Sequence, residues 1–300
     1  MENNQTTAYH TRFSRKPEWM QRRFSLSNEV LRMKQFFRDH GVNTVCESAG
    51  CPNLSHCFQR STATFMILGD VCTRHCRFCG VRQGKPMPVN EKEPESVAES
   101  VRILDLRHVV ITSVTRDDLA DGGAFHFVLT INAVKMLNTN ATVEVLIPDF
   151  QGNKKALQKV LDSDIDVFNH NVETVPRLYS KMRPEADFNR SIQILSHARG
   201  YRPDIITKSG FMLGLGERRD EIIEVFKALR QADCDALTLG QYLAPGLNKA
   251  QVREYLHPAL FDQYQKIAED MKFRYVKAGP YVRSSYEADD MMRMIRGAKT

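Results

Sequence analysis

The chain has 300 residues, 42% hydrophobic and 26% charged, a globular balance that excludes a disordered protein. Sixteen glycines and twelve prolines exclude collagen-like and low-complexity chains. The formal net charge of +6 is too weak alone to argue for nucleic acid, and no apolar run nears the ~18 residues of a membrane span.

The opening MENNQTTAYH has no apolar core of a secretory signal. Arg12, Arg15, Arg22 and Arg23 fit an organellar presequence only weakly, and Glu2, Pro17 and Glu18 argue against one. The expectation is a cytoplasmic protein that engages neither membrane nor nucleic acid. Residues 1–40 form a basic lead-in, with one short amphipathic helix from Val30 to Phe37. Residues 41–60 form a compact loop bearing Cys46, Cys51 and Cys57. Its turn residues Gly50, Pro52 and Asn53 predict irregular backbone beneath the cysteines.

From residue 62 a pattern repeats. Short runs rich in β-branched and apolar residues lie at 64–68, 109–114, 142–148, 166–173, 205–213 and 236–243. Helical periodicity fills 95–106, 124–138, 154–162, 189–199, 218–231 and 258–272. Runs of this kind read as strands buried on both faces, and their alternation with helices implies βαβ units on a parallel sheet. Six units are fewer than the eight that close a barrel. The expected fold is α/β: a partial (β/α)6 barrel, or an open parallel sheet, at 62–274. An N-terminal extension (1–61) and a C-terminal extension (275–300) flank it. The latter holds a seventh extended stretch, 275–288, and a short Met-rich helix. Polar residues and glycines gather just after the strand ends, the functional face of parallel α/β folds.

Six of seven cysteines crowd into residues 46–79. Without an export signal, such crowding points to metal rather than disulfides. Cys72, Cys76 and Cys79 form C-x3-C-x2-C directly after the first predicted strand. Three thiolates this close can wrap only a compact metal object. Zinc wants four ligands, and His75 is awkwardly adjacent to Cys76. An iron–sulfur cluster on three cysteines leaves one iron open for a ligand. Cys46, Cys51 and Cys57 make a second triad, whereas Cys234 reads as an inert buried residue.

C-x3-C-x-aromatic-C resembles the radical S-adenosylmethionine superfamily. The second triad and the terminal Arg283-Ser284-Ser285-Tyr286 narrow the resemblance to the lipoyl synthases. It extends through CESAGCPNLSHCF (46–58), GDVCTRHCRFCGV (69–81), TSVTRDDLADGGA (112–124), FNHNVETVPRLY (168–179), GFMLGLGE (210–217), QYLAPG (241–246) and GPYVRSSYEA (279–288).

That resemblance implies two [4Fe–4S] clusters and S-adenosylmethionine. Cys72, Cys76 and Cys79 would hold the cluster whose open iron binds S-adenosylmethionine and whose electron cleaves it. Phe78 would lie near the adenine, as would Met212 in Gly210-x-Met212-x-Gly214-x-x-Glu217. Asn171 and Glu173 would bond the methionine or ribose part. One of Arg116, Asp117 and Asp118 would hold the amino end. Cys46, Cys51 and Cys57, with Ser285 as fourth ligand, would hold an auxiliary cluster that is the sulfur source. Ser284 competes with Ser285 for that role. The implied reaction inserts two sulfur atoms at carbons 6 and 8 of an octanoyl chain on a carrier-domain lysine. The implied partners are the octanoylated carrier, an electron donor such as flavodoxin or ferredoxin, and an iron–sulfur cluster delivery protein. Two alternatives stay open: another sulfur-inserting enzyme of the superfamily, or a zinc-stabilised nucleic-acid module using the basic arm.

Overall fold

A computed structural model describes residues 16–21, 27–59 and 63–297. Arg12, Arg15, Arg22 and Arg23 of the basic lead-in, and the expected boundary at residue 61, lie outside the described residues.

Ten strands follow in chain order: β1 (Asn43–Thr44), β2 (Thr64–Ile67), β3 (Val71–Cys72), β4 (Arg82–Gln83), β5 (His108–Ser113), β6 (Thr142–Leu146), β7 (Val167–Asn169), β8 (Ile206–Leu213), β9 (Ala236–Gln241) and β10 (Tyr275–Gly279). Eight join one sheet in the order β1-β2-β5-β6-β7-β8-β9-β10. All neighbours are parallel except β1, which runs antiparallel to β2. The edges β1 and β10 do not meet, so the barrel is partial. The two-residue β3 and β4 pair outside this sheet.

Each expected helix of the repeat forms within a few residues of its sequence boundaries, from Glu93–Ile103 to Pro258–Asp270. Their apolar faces cover the outside of the sheet. Phe226 of the Arg219–Gln231 helix meets Phe211 of β8 edge-on at 6.3 Å between ring centres. Alternate residues of the same strand, Lys208 and Gly210, face the concave side, as the two-residue period of a strand demands.

That concave side carries a buried charged layer. Lys208 Nζ donates to both Glu144 oxygens (2.9 and 3.0 Å), and Asn169 Nδ2 donates to Glu144 Oε1 (2.8 Å). Burial alone would raise the Glu144 carboxyl, but Lys208 and His108 hold it down at about 2. Removing either partner would strand a buried charge, at a cost of roughly 3–5 kcal/mol. Beside this layer the last helix, Ala288–Gly297, seats Met291, Met292 and Ile295 on Val167, Ile206, Ala236 and Tyr275. It lies against the strand starts, opposite the functional face.

Three expectations need correcting. The stretch 275–288 is a strand only to Gly279, and that strand continues the parallel sheet, giving seven parallel strands where six units were expected. Tyr275 to Gly279 pair residue for residue with Ala236 to Gly240, so the sheet crosses the expected boundary at 274. The run 166–173 is a strand only over Val167–Asn169, and beyond it a single bridge joins Glu173, left-handed at φ 67°, to Phe211 of β8. The third correction concerns the cysteine loop. Cys46 and Cys57 sit on short helices, Val45–Ser48 and Leu54–Gln59, and only Cys51 lies on irregular backbone. The turn residues Gly50, Pro52 and Asn53 fall between the helices, and the Thr44 side chain caps the first by accepting from Glu47 N–H (3.3 Å).

Candidate active site

After β2 the chain leaves the sheet through two left-handed residues, Leu68 (φ 69°) and Gly69 (φ 91°). A leucine there costs roughly 1–2 kcal/mol and needs external support. Buried Glu93 supplies it by accepting from Leu68 N–H (2.7 Å) and Gly69 N–H (3.4 Å), while His126 Nε2 lies 2.7 Å from the same carboxylate. Arg116 Nη1 donates to the Leu68 carbonyl (3.2 Å).

This exit launches the loop of Cys72, Cys76 and Cys79. Arg74, between the first two cysteines, is almost fully buried. It grips Asp117 with two bonds (2.6 and 2.9 Å) and reaches Asp149 at 2.5 Å. Arg190 meets the other Asp149 oxygen at 2.8 Å. Burial would raise the Asp149 carboxyl, but Arg74 holds it down at about 2. Arg116 also forks onto Asp118 (2.9 Å twice). Asp117 thus braces the cysteine loop through Arg74, Arg116 braces the turn that leads into it, and Asp118 pairs with Arg116.

Burial pushes the Cys76 thiol up to about 12, against the pull of Arg183 and with added push from Cys79, Cys72 and Glu173. Burial likewise lifts Cys79 to about 11, aided by Cys72 and Glu173 and opposed by Lys249. The thiols are therefore close enough to repel one another as anions, and only a multiply charged cationic partner makes all three thiolates stable together. Among the described residues, no three His, Cys, Asp or Glu side chains gather at single-ion spacing.

Asn171 and Glu173 stand beside this loop. Asn171 Nδ2 donates to Glu173 Oε1 (3.0 Å) and to Ser284 Oγ (2.7 Å), and its buried Oδ1 has no protein partner. Arg183 Nη1 donates to the Asn171 carbonyl (2.9 Å), and its buried Nε is also unpartnered. Burial raises the Glu173 carboxyl, with Arg183 opposing. Gly210 is required here, because a Cβ would sit 2.5 Å from both Asn171 Oδ1 and Ser284 Oγ. An unpaired acceptor, an unpaired donor and a carboxylate beside the thiol triad fit a polar, zwitterionic ligand. Met212 and Phe78 are half-buried on the edge of the core. Glu217 ties the turn after β8 by accepting from Gly214 N–H and Leu215 N–H (2.9 Å each) and from Thr174 Oγ1 (3.0 Å).

The loop of the second triad approaches that of the first. Burial pushes Cys46 up to about 12, with Cys51 and Cys57 adding to the rise and Thr64 N–H opposing it. Thr64 Oγ1 donates to Ser285 Oγ at 2.7 Å, so Ser285 hangs on the residue that faces Cys46. Asn53 Nδ2 donates to the Tyr281 carbonyl (2.6 Å), and the His56 and Tyr286 rings lie 6.1 Å apart. Both chain extensions therefore meet at the auxiliary cysteines. Gly80, just after Cys79, would place a Cβ only 2.8 Å from the carbonyl oxygen of Ala49, which lies between Cys46 and Cys51. The two cysteine loops abut. Cys234 is fully buried far along the chain, its thiol pushed up to about 12 by burial, as its inert reading expects.

The chain matches the radical SAM superfamily over residues 66–229. A lipoyl synthase of Caldanaerobacter subterraneus subsp. tengcongensis is 54% identical over 94% of this chain and 99% of its own length. A lipoyl synthase of Caldicellulosiruptor saccharolyticus is 48% identical over the same shares. The chain belongs to the lipoyl synthase family. It is thus a radical S-adenosylmethionine enzyme, its cofactors are S-adenosylmethionine and [4Fe–4S] clusters, and its substrate is an octanoylated carrier. The relatives decide against the zinc-stabilised nucleic-acid module and do not favour another sulfur-inserting enzyme. Solved structures agree on the fold: methylornithine synthase superposes with a TM-score of 0.51 at 12% identity, covering 92% of this chain and 94% of that one. Streptococcus suis SuiB bound to its precursor peptide SuiA gives 0.57 at 11% identity, covering 90% and 58%. Among the described residues no helix is long and apolar enough to cross a membrane.

Four site residues escaped the sequence reading: Arg74, Asp149, Arg183 and Glu93. A polar residue at a strand end is the only signal that could have found Asp149. Nothing local marks Arg183 or Glu93.

Proposed function

We propose that the two thiol triads divide the work of lipoyl synthesis, the insertion of two sulfur atoms at carbons 6 and 8 of an octanoyl-lysine on a carrier domain. Cys72, Cys76 and Cys79 hold the cluster that binds S-adenosylmethionine, and Cys46, Cys51, Cys57 and Ser285 hold the cluster that gives up sulfur. When bound, the first group supplies a carbon radical able to attack unactivated C–H bonds, and the second supplies the sulfur. The residues of the chain position and shield these groups. Arg74 pins the first loop to the ends of β5 and β6. Asn171 and Glu173 bond the polar part of S-adenosylmethionine, while Met212 and Phe78 offer apolar surface to the adenine. Ser285 is a harder ligand than a thiolate, suited to a cluster that must open.

The observation that supports this reading is the close approach of Gly80, next to Cys79, to Ala49, between Cys46 and Cys51, so that the loops of the two triads touch. A single octanoyl chain can then meet both without travelling. A flavodoxin- or ferredoxin-type reductant supplies electrons, and an iron–sulfur delivery protein rebuilds the spent cluster. The test is anaerobic reconstitution, incubation of an octanoyl-lysine peptide with S-adenosylmethionine and dithionite, and mass spectrometry. The expected product carries two added sulfur atoms. Turnover of S-adenosylmethionine with an unmodified peptide would overturn the reading.

A further inference from the structure

A groove beside the Cys72–Cys79 loop encloses about 460 Å³. Arg77, Lys181, Lys249 and Arg253 line it, and no acidic side chain does. None of the four cations forms an ion pair among the described residues. Arg77, Lys181 and Arg253 are exposed, and Leu247 stands 82% exposed on the rim. Four unpaired positive charges around one concavity hold a local potential that the net charge of +6 does not explain by even spreading.

The floor of the groove is cysteine-loop backbone. Arg77 sits between Cys76 and Cys79. Its N–H donates to the Met182 carbonyl (2.8 Å), and its carbonyl accepts from Ala250 N–H (2.8 Å). Tyr242 OH donates to the Ala250 carbonyl (2.6 Å), closing the wall behind. Both groove walls are therefore stitched to the residue between two cysteines. The seam between the groove and the cysteines is backbone held by these hydrogen bonds. An electron needs no opening, because it tunnels through packed protein.

From this geometry we infer that the Arg77–Lys181–Lys249–Arg253 groove is the docking surface for a small acidic one-electron carrier protein. The inference rests on the reading of Cys72, Cys76 and Cys79 as the reducible cluster. Each encounter oxidises the donor by one electron and reduces that cluster by one, and no proton or group is transferred. The acidic carrier domain that bears the octanoyl chain is the other negatively charged visitor. Its octanoyl chain must reach the place where Asn171, Gly210 and Ser284 converge, and none of these residues lines this groove. A basic rim with one exposed leucine suits a small, transient, salt-sensitive contact of the kind redox partners make.

The test compares two reductants on the reconstituted holoenzyme: flavodoxin, an acidic flavoprotein, and dithionite, which needs no docking. The variant is Lys181→Glu/Arg253→Glu, two exposed positions distant in sequence from the cysteines. Cluster reduction is followed by loss of absorbance near 400 nm under stopped flow, independently of product formation. Flavodoxin-driven reduction is expected to slow about tenfold in the variant, through the encounter rate. Added salt should slow the wild type towards the variant as the Debye length shrinks. Dithionite-driven reduction and iron content should match wild type. An unchanged flavodoxin rate overturns the inference. So does an equal fall with dithionite, which would mean that the substitutions damage the cluster itself. A raised KM for the octanoylated carrier with unchanged flavodoxin kinetics would assign the groove to the substrate instead. Failure of the enzymatic reading is separate: it would appear in the wild type as absence of sulfur product with dithionite.

Discussion

Ser284 and Ser285 are adjacent in sequence and serve opposite sides of the site. Ser284 Oγ accepts from Asn171 Nδ2 at 2.7 Å, beside the first triad. Ser285 Oγ accepts from Thr64 Oγ1 at 2.7 Å, beside the second. The backbone here is a turn, closed by Tyr286 N–H donating to the Arg283 carbonyl (3.0 Å), and it sends the two hydroxyls to different partners. Ser285→Ala should leave S-adenosylmethionine cleavage intact, lower auxiliary-cluster iron and suppress sulfur insertion. Ser284→Ala should keep both clusters and weaken S-adenosylmethionine binding, because Asn171 loses its anchor. Iron content, deoxyadenosine yield and the ratio of singly to doubly thiolated product separate the two. Full sulfur insertion by Ser285→Ala would move the fourth ligand elsewhere.

The triads should separate genetically as they do spatially. Cys76→Ala should abolish deoxyadenosine formation and retain roughly half the iron, the share of one of two equal clusters. Cys51→Ala should lose a similar share of iron and still form deoxyadenosine, with no sulfur-containing product. Lipoyl product from Cys51→Ala would make the second triad a structural device. Both assays run on the same anaerobically reconstituted preparations.

His170 gives the fold a defined acid sensitivity. Its Nδ1 bonds the Ile147 carbonyl (2.9 Å), its Nε2 lies 3.1 Å from Ser191 Oγ, and burial lowers its pKa from 6.5 to about 4. The unfolded histidine therefore binds a proton at a pH where the folded one does not. Stability falls as pH drops from 6.5 towards 4, by about 3 kcal/mol in total and about 2 kcal/mol of that between pH 7 and pH 5. Glu144, lowered from 4.5 to about 2, is shifted in the same sense and acts in the same direction with pH, but loses its contribution only as pH falls below about 4.5. Burial raises Glu173, which acts in the opposite direction with pH, so the histidine is isolated by comparing wild type with a His170 variant across pH 5–7. Urea midpoints at pH 7 and pH 5 should lie closer together in His170→Gln than in wild type. Equal spacing would place the sensitivity in another group.

Patterning carried the fold further than the site. The runs at 109–114, 142–148 and 205–213 are strands buried on both faces, legible as runs rich in β-branched and apolar residues, with Glu144 and Lys208 the charged exceptions that pair with each other. The strand β10 was assigned to an extension because Lys277 and Gly279 dilute its pattern, although its backbone pairs fully with β9. The helices carrying Cys46 and Cys57 are four and six residues long, too short for periodicity to register, and they depend on capping and packing. The six cysteines announced themselves by spacing. Arg74, Asp149 and Arg183 did not, because a buried ion pair between elements far apart in sequence leaves no local mark. Ser285 was reached through the terminal motif rather than through any property of a lone serine.

The approach of β9 to the C-terminal segment provides the sharpest test of how the second triad is completed. At Gly240 an added Cβ would fall 2.1 Å from the Val282 carbonyl oxygen and 3.0 Å from Arg283 Nη1. The nearer obstacle is backbone, which cannot swing aside; the farther one is the guanidinium end of Arg283, which donates to that same Val282 carbonyl (2.6 Å). Gly240→Ala must therefore push residues 282–285 off the sheet or distort β9, at a cost of roughly 1–3 kcal/mol. Displacement would carry Ser285 away from Thr64 and leave Cys72, Cys76 and Cys79 untouched. The expected protein keeps one cluster, forms deoxyadenosine with weakened S-adenosylmethionine binding because Ser284 moves with Ser285, loses auxiliary iron, and makes little or no doubly thiolated product. Gly200→Ala is the control, since Gly200 lies in the Phe188–Tyr201 helix with nothing within 4 Å of its added Cβ. That change should stabilise by roughly 0.5–1 kcal/mol and leave sulfur insertion unaltered. If Gly240→Ala retains full iron and full sulfur insertion, the C-terminal segment is held over the auxiliary triad by something other than its close seat on β9.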